Sequence, residues 1–265
     1  MDTGASAIER LRTAYGVARS LAIYYGKPWR GRDMARFYGR FLASGDLAFD
    51  IGAHVGNRIR AWRQLKARVV AVEPQPALLP VLCALYGRDP AVELVAAAIA
   101  AEEGRVRLNL NPANPTIASA SQAFLAAAGS APSFAGQQWR GVCEVPALTL
   151  DALIARFGMP RFIKIDIEGF EEEALKGLSN APFALSVEFV PMMKEVAQAC
   201  IARLAAMAPY RFNATYGDGT TFLHPQPLAA DAIAGWIANL GADGPAGDIF
   251  ACQDPAFLTT VAGQM

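Results

Sequence analysis

The spacing of apolar residues changes near residue 47. Before it, five apolar residues recur at intervals of three and four: Ile8, Leu11, Tyr15, Ala18 and Ala22. This spacing predicts an amphipathic helix whose apolar face lies on the main domain. Residues 34–42 predict a second helix, and Ser44-Gly45-Asp46 ends the region. We therefore expect an N-terminal helical cap over residues 1–45.

After residue 47, short apolar runs alternate with helical periodicity. This rhythm predicts a parallel sheet covered by helices on both faces. The predicted strands are 47–50, 68–73, 92–96, 162–168, 184–190, 212–216 and 248–252, with an added edge strand over 104–110. The expected fold class is α/β, with a doubly wound, mostly parallel, Rossmann-like sheet of about seven strands over residues 46–265.

A tight glycine turn follows the first predicted strand. Gly52 and Gly56 stand between that strand and a helix that begins near Asn57. Glycine can adopt positive φ, and it lets a ligand approach the backbone without meeting a Cβ atom. The spacing is G-x-x-x-G, which differs from the G-x-G-x-x-G of a dinucleotide-binding turn. A plain strand-to-helix turn could carry the same pattern.

Four predicted strands end in a carboxylate: Asp50, Glu73, Asp166 and Glu188. In a doubly wound sheet the carboxyl ends of the strands meet at one crevice, so we expect these groups to line one pocket. Phosphate sites favour basic residues and helix N-termini instead. An acidic pocket suits a ligand with positive charge and free hydroxyls. S-adenosylmethionine has these features in its sulfonium, its ammonium and its ribose diol.

The composition indicates in which cellular compartment we expect the protein. The 265 residues are 53% apolar, yet no uncharged apolar run reaches the length of a membrane span, roughly 18–20 residues. The amino end lacks a basic region followed by an apolar one, so we predict no signal peptide. Four scattered cysteines with no C-x-x-C pair are typical of a reducing compartment. We expect a cytoplasmic protein with no integral membrane segment.

Charge is unevenly distributed although the net charge is zero. Residues 1–45 carry a net charge of +5, while the chain after Arg211 has five aspartates and no lysine or arginine. This asymmetry could guide an anionic substrate or surface to the amino end. The two ends could instead face each other or be solvated.

Residues 108–139 contain no charged residue, and their length predicts a lid, a substrate-facing loop or a disordered segment.

Several motifs together resemble the FkbM-type methyltransferase family, a branch of the class I S-adenosylmethionine-dependent enzymes. The matching pieces are Phe49-Asp50-Ile51-Gly52-Ala53-His54-Val55-Gly56, Val72-Glu73-Pro74, Leu148-Thr149-Leu150-Asp151, Ile163-Lys164-Ile165-Asp166-Ile167-Glu168-Gly169-Phe170-Glu171, Leu175-Lys176-Gly177 and Val187-Glu188. They extend over about residues 45–190, and residues 1–45 contribute nothing. The resemblance implies the class I methyltransferase fold and S-adenosylmethionine as cofactor.

The resemblance also implies roles for single residues. The turn around the methionine portion would be formed by Asp50, Gly52, His54 and Gly56. Glu73 would accept hydrogen bonds from both ribose hydroxyls, and Asp166 would lie near the amino group and the sulfonium. Many class I enzymes place an acid after the third strand for the adenine amine. Residues 97–99 are Ala-Ala-Ile here, so backbone groups, Ser119 or Ser121 would hold the adenine.

Methyl transfer is an in-line displacement, so the enzyme contributes mostly alignment. A hydroxyl acceptor also needs its proton removed, and Glu188, Asp166 and His54 are the candidate bases, in that order. His54 could instead only shape the turn, and Glu188 could be buried and paired with Lys164 or with an arginine. Two or three carboxylates could alternatively hold a divalent cation, although we assign no residue as a metal ligand.

The expected function is an S-adenosylmethionine-dependent methyltransferase that modifies a hydroxyl of a small molecule, a sugar or a lipid-linked glycan. Its partner would be that acceptor, with no nucleic acid involved. Two alternatives stay open: a nicotinamide-dependent oxidoreductase, and a non-catalytic nucleotide-binding module of the same fold. Burial of a charge is costly, so we expect Asp166→Asn to fold with a higher melting temperature and to lose cofactor binding.

Overall fold

The computed structural model describes residues 7–260, apart from the side chain of Pro28. The strands within this range are β1 Leu47–Ile51, β2 Arg68–Val72, β3 Val92–Val95, β4 Ala98–Ile99, β5 Gly104–Leu110, β6 Gly141–Leu148, β7 Phe162–Ile165, β8 Ala184–Phe189, β9 Arg211–Tyr216 and β10 Gly247–Cys252. Seven of these described strands form one sheet in the order β3-β2-β1-β7-β8-β10-β9. The strand β10 runs antiparallel to the other six strands of this sheet. The predicted fold class is confirmed.

Helices cover both faces of this sheet. Their bounds are α1 Ala7–Tyr25, α2 Pro28–Tyr38, α3 Asn57–Gln64, α4 Leu79–Tyr86, α5 Gln122–Ser130, α6 Leu150–Phe157, α7 Glu171–Lys176, α8 Lys194–Met207 and α9 Ala230–Ala238. Neighbouring strand residues point to opposite faces. Phe49 accordingly joins the apolar cluster under α6–α9, while Ala48 joins the cluster under α2–α4. Within residues 7–260, no helix is long and apolar enough to cross a membrane.

The predicted edge strand over 104–110 is present as β5, but it does not extend the main sheet. It pairs antiparallel with β6 in a separate three-stranded sheet of order β4-β6-β5. The alternation along β5 turns Leu108 toward Val145 and Ala98, which form a small apolar cluster of their own. Periodicity identified the strand correctly, but it does not encode which sheet a strand joins.

Helix α1 is present, but the face that we expected to be buried is exposed. Ile8, Leu11 and Tyr15 are 63%, 71% and 65% exposed, whereas Gly16 and Ser20 are buried. The helix lies close to the backbone at 112–115, where a Cβ at Gly16 would be 2.5 Å from the Pro112 carbonyl oxygen. Only small side chains fit such an approach, so the small residues face inward.

Helix α2 packs on the main sheet. Met34, Phe37 and Tyr38 are buried in the same cluster as Phe162 and Phe250 from the strands. The division into a cap over 1–45 and a domain over 46–265 stays a prediction, and residues 1–6 and 261–265 lie outside the described range.

The charge-free segment 108–139 is folded. It contains α5 and two short 3-10 helices, and Phe124 on α5 is fully buried. Ser121 caps α5 by accepting a hydrogen bond from the Phe124 N–H at 3.1 Å. The Trp139 Nε1–H donates to the Ile117 carbonyl at 2.7 Å. Uncharged side chains therefore serve internal packing, and the segment is not a structureless loop.

Candidate active site

A cleft lies beyond the carboxyl ends of β1, β2 and β7. One wall is the turn after β1, a second is the end of β2, and a third is the loop after β7. Tyr24 of α1 closes the fourth side, and β4 with residues 108–120 supplies an apolar surface. Strand ends separated by more than a hundred residues therefore meet at one place, as the sheet topology requires.

The first wall depends on two glycines. Gly52 has a φ of 84°, and a Cβ there would lie 1.9 Å from the Asp166 carbonyl oxygen. Gly56 has a φ of 82° at the start of α3, where a Cβ would lie 2.5 Å from a Tyr86 ring carbon. Both positions thus require glycine for conformation and for space. Gly52 lines the cleft, whereas Gly56 packs behind it.

Glu73 presents its carboxylate to the cleft from the end of β2. The residue is 2% exposed. Its Oε2 accepts the His54 backbone N–H at 2.8 Å, and its Oε1 accepts the Gln75 backbone N–H at 2.8 Å. Burial raises the pKa of Glu73 to about 7, although these two hydrogen bonds oppose that rise. Each oxygen retains a lone pair for a ligand donor, which suits a vicinal diol.

Asp166 follows β7 and forms two ion pairs within the protein. Its Oδ2 lies 3.1 Å from Arg58 Nη2 and 3.4 Å from Lys164 Nζ. Each cation has a second carboxylate, with Asp218 at 2.9 Å from Arg58 and Asp248 at 2.5 Å from Lys164. Burial disfavours ionisation of Asp166, but Lys164 and Arg58 outweigh it and lower its pKa to about 2.

Arg58 is a site residue that the sequence analysis missed. Its side chain is 8% exposed, and burial disfavours its charge, yet Asp218 and Asp166 raise its pKa above the ordinary value. It occupies the first turn of α3, where the helix dipole is unfavourable for a cation. The sequence feature that could have revealed this role is a basic residue directly after the glycine turn, in the first turn of the predicted helix.

Three carboxylates converge beside the cleft. Oxygen atoms of Asp166, Glu168 and Glu188 all lie within 4.8 Å of one another. Burial raises the pKa of Glu168 and of Glu188 well above its ordinary value, and the charge of Asp166 adds to both rises. Such a cluster can share protons or hold a divalent cation. Glu188 does not line the cleft itself, and its buried Oε2 has no hydrogen-bond partner among the described residues.

The comparison with known families agrees with this geometry. A family model described as "Methyltransferase FkbM domain" matches residues 50–189. The chain belongs to the FkbM methyltransferase family. The match begins at Asp50 in β1 and ends at Phe189 in β8, so it contains the glycine turn and the carboxylates at all four strand ends. The resemblance predicted from the sequence motifs is confirmed.

The solved structures that are similar to this FkbM chain include two methyltransferases. An O-methyltransferase from Bacillus cereus in complex with SAH is 13% identical, with 95% of this chain and 93% of that chain covered and a TM-score of 0.45. A precorrin-6y C5,15-methyltransferase from Geobacter metallireducens is 14% identical, with 83% and 87% covered and a TM-score of 0.43. A comparison with curated proteins finds no match. The family assignment rests on the family model.

Of the four strand-end carboxylates of this FkbM protein, Glu73 and Asp166 line the cleft, but Asp50 and Glu188 do not. The expectation of one shared pocket is therefore wrong for two of them. Asp50 is fully buried within β1, and neither of its carboxylate oxygens has a hydrogen-bond partner among residues 7–260. Burial raises the pKa of Asp50 to about 6, although Arg58 and Lys164 oppose the rise.

Ser119 does not line the cleft either. Its hydroxyl donates to the Glu168 carbonyl at 2.7 Å and accepts the Ser121 N–H at 2.9 Å. This hydroxyl is thus engaged in fixing the loop after β7. The neighbouring Ala118 and Ala120 line the cleft instead, so the expected hydroxyl contact to a ligand is replaced by an apolar surface.

His54 lines the cleft at the glycine turn, with a φ of 51°. Its ring meets the ring of Tyr24 edge to face, with centroids 5.4 Å apart. Burial lowers the pKa of His54 to about 4, so the imidazole is neutral at neutral pH. Tyr24 was missed in the sequence because it lies on the side of α1 opposite the apolar stripe.

Proposed function

We propose that this FkbM chain transfers a methyl group from S-adenosylmethionine to a hydroxyl of a small molecule, a sugar or a lipid-linked glycan. The observation that carries the proposal is the Glu73 carboxylate, which is buried, held by two backbone N–H groups and directed into the cleft. Both ribose hydroxyls can donate to it. When bound, S-adenosylmethionine supplies a methyl carbon that its sulfonium has already activated.

The remaining walls fit the other parts of this cofactor. The bare backbone at Gly52 leaves room for the methionine portion. Asp166 stays ionised at neutral pH, which suits the ammonium and the sulfonium. The apolar surface of Ile99, Leu108 and Ala118 suits an adenine ring held by backbone groups. Asp50, Gly56 and Ser119, which we expected to contact the cofactor, do not line the cleft, and we propose that they shape the site from behind it.

Proton removal from the acceptor would fall to His54 or Asp166. Both are unprotonated at neutral pH, but their pKa values of about 4 and about 2 make them weak bases. Glu188, our first candidate from the sequence, has a pKa raised well above the ordinary value, so it holds its proton more firmly. We therefore expect alignment of the acceptor to contribute more than proton abstraction.

Two other functions have less support. The turn at 52–57 lacks the G-x-G-x-x-G of a nicotinamide-dependent oxidoreductase. A non-catalytic module would bind the cofactor without turnover. The cytoplasmic location and the absence of a nucleic-acid partner stay predictions.

Calorimetric titration with S-adenosylmethionine and with NAD tests the proposal. Wild-type protein should bind the first and not the second. Glu73→Gln should weaken binding by at least about tenfold, because a hydrogen bond to a charged group contributes roughly 1.5–3 kcal/mol. The matched control is Glu93→Gln, which removes an exposed glutamate from the neighbouring β3 and should change nothing.

The pH dependence of that binding is a second readout. The ligand favours ionised Glu73, whose pKa is about 7 in the free protein, so binding should release a proton. The dissociation constant should fall as the pH rises from 6 to 8, and Glu73→Gln should abolish this trend. Equal affinity in wild type and Glu73→Gln would refute the assignment, and saturable NAD binding would favour the oxidoreductase.

A further inference from the structure

A second cavity of about 440 Å³ lies beside the cofactor cleft. Tyr24 and Asn57 line both spaces, so the two adjoin at these side chains. The rest of the cavity is built by residues 218–220 after β9, by Arg60 on α3, and by four residues of α2, Arg30, Gly31, Asp33 and Met34. A molecule in this cavity would face the cofactor across Tyr24 and Asn57.

Two arginines in its wall lack an acidic partner. Within residues 7–260, neither Arg30 nor Arg60 has a carboxylate oxygen within ion-pair distance, whereas Arg58 on the same helix as Arg60 has two. Arg60 is half-buried, and its guanidinium carbon lies 5.4 Å from the centre of the Tyr25 ring. A Cβ at Gly31, next to Arg30, would lie 3.5 Å from Arg60 Nε.

The two carboxylates in the wall do not neutralise these arginines. Asp218 is bound to Arg58 at 2.9 Å, and Asp33 lies 3.4 Å from Arg36 at the surface. Both retain lone pairs that can accept hydrogen bonds from hydroxyl groups. The lining thus combines uncompensated guanidinium groups with hydroxyl acceptors. Guanidinium groups match the planar geometry of carboxylate and phosphate oxygens.

We propose that this cavity is the acceptor subsite and that it binds a hydroxylated acceptor through an oxyanion group, a phosphate or a carboxylate, at Arg30 and Arg60. This inference rests on the proposed function. The acceptor hydroxyl then points past Tyr24 and Asn57 toward the cofactor. In the transfer the methyl–sulfur bond breaks with its electron pair going to sulfur, a methyl–oxygen bond forms, and the hydroxyl proton passes to a base of the cleft.

Binding of simple oxyanions tests the subsite without knowledge of the acceptor. Full-length protein is titrated calorimetrically with pyrophosphate in one arm and with malonate in the other. We expect saturable binding in at least one arm, and the stronger arm identifies the anionic group. Arg30→Gln and Arg60→Gln should each weaken that binding at least tenfold. The matched control is Arg32→Gln, an exposed arginine on the same helix that lies outside the cavity.

Titration of the same variants with S-adenosylmethionine separates the two proposals. Arg30→Gln and Arg60→Gln should bind it as wild type does, because neither residue lines the cofactor cleft. Absence of anion binding, or anion binding that all three variants retain equally, would overturn the acceptor subsite while leaving the cofactor proposal intact. Failure of wild type to bind S-adenosylmethionine would overturn the function instead. Arg30 is exposed, so its variant provides a test that does not depend on core packing.

Discussion

Replacing Asp166 by asparagine should destabilise the protein. The ion pairs with Lys164 and Arg58 lower its pKa from 3.8 to about 2, and this difference corresponds to roughly 2 kcal/mol at neutral pH. Each cation keeps a second carboxylate, and loss of the Asp166 charge allows Glu168 or Glu188 to ionise more readily. We therefore expect a net loss of about 1–2 kcal/mol, or a melting temperature lower by roughly 3–6 °C.

Urea unfolding of wild type and Asp166→Asn measures this difference. A depressed carboxyl pKa contributes stability that is fully present above 3.8 and is lost as the pH falls toward about 2. The difference between the two proteins should therefore be largest near pH 5. It should narrow toward pH 8, because easier ionisation of Glu168 and Glu188 in the variant offsets the loss only above their ordinary pKa of 4.5. The control is Asp33→Asn, which breaks an exposed pair with Arg36 and should change stability by less than about 0.5 kcal/mol.

The sequence alone led to the opposite expectation, a higher melting temperature for Asp166→Asn. That expectation took the cofactor as the cationic partner of Asp166 and set aside the alternative, Lys164, because a residue two positions earlier on the strand should lie deeper. The structure places Lys164 Nζ 3.4 Å from the Asp166 carboxylate. If the variant melts at or above the wild-type temperature, the ion pairs with Arg58 and Lys164 do not stabilise the fold, and the reasoning from the structure is wrong.

Two further substitutions follow from the same site. Glu188→Gln should raise the free energy of unfolding at pH 8 and leave it unchanged at pH 4, as measured by urea unfolding. The raised pKa of Glu188 means that its ionised form is costly in the folded protein at pH values above its ordinary pKa of 4.5. Equal stability of the variant and wild type at pH 8 would contradict this prediction. Gly52→Ala should prevent folding or lower the stability by several kcal/mol, because its Cβ would lie 1.9 Å from the Asp166 carbonyl oxygen. The control is Gly129→Ala on α5, where a Cβ would meet open space. In thermal melts this control should be neutral or more stable by up to about 1 kcal/mol. A Gly52→Ala variant with the wild-type melting temperature would disprove the close approach.

The sequence by itself determined the sheet and much of the cleft. Strand and helix periods located the main elements, and the glycine turn with Glu73 could be placed at one edge because parallel strands end on the same side. These features depend on local spacing and on a topological rule. Neither requires knowledge of which distant side chains meet.

The tertiary structure alone decided the partners and the orientation of the elements. Asp166 pairs with Arg58, which is 108 residues away, and no local pattern encodes that pair. Asp50 and Glu188 also end predicted strands, yet neither lines the cleft. Asp50 pairs in register with Lys164, deeper in the sheet than Asp166, and Glu188 stands on β8, one strand beyond β7. Likewise, the apolar stripe of α1 is exposed because the surface it meets at Gly16 admits only small residues, a property of the partner segment and not of the helix.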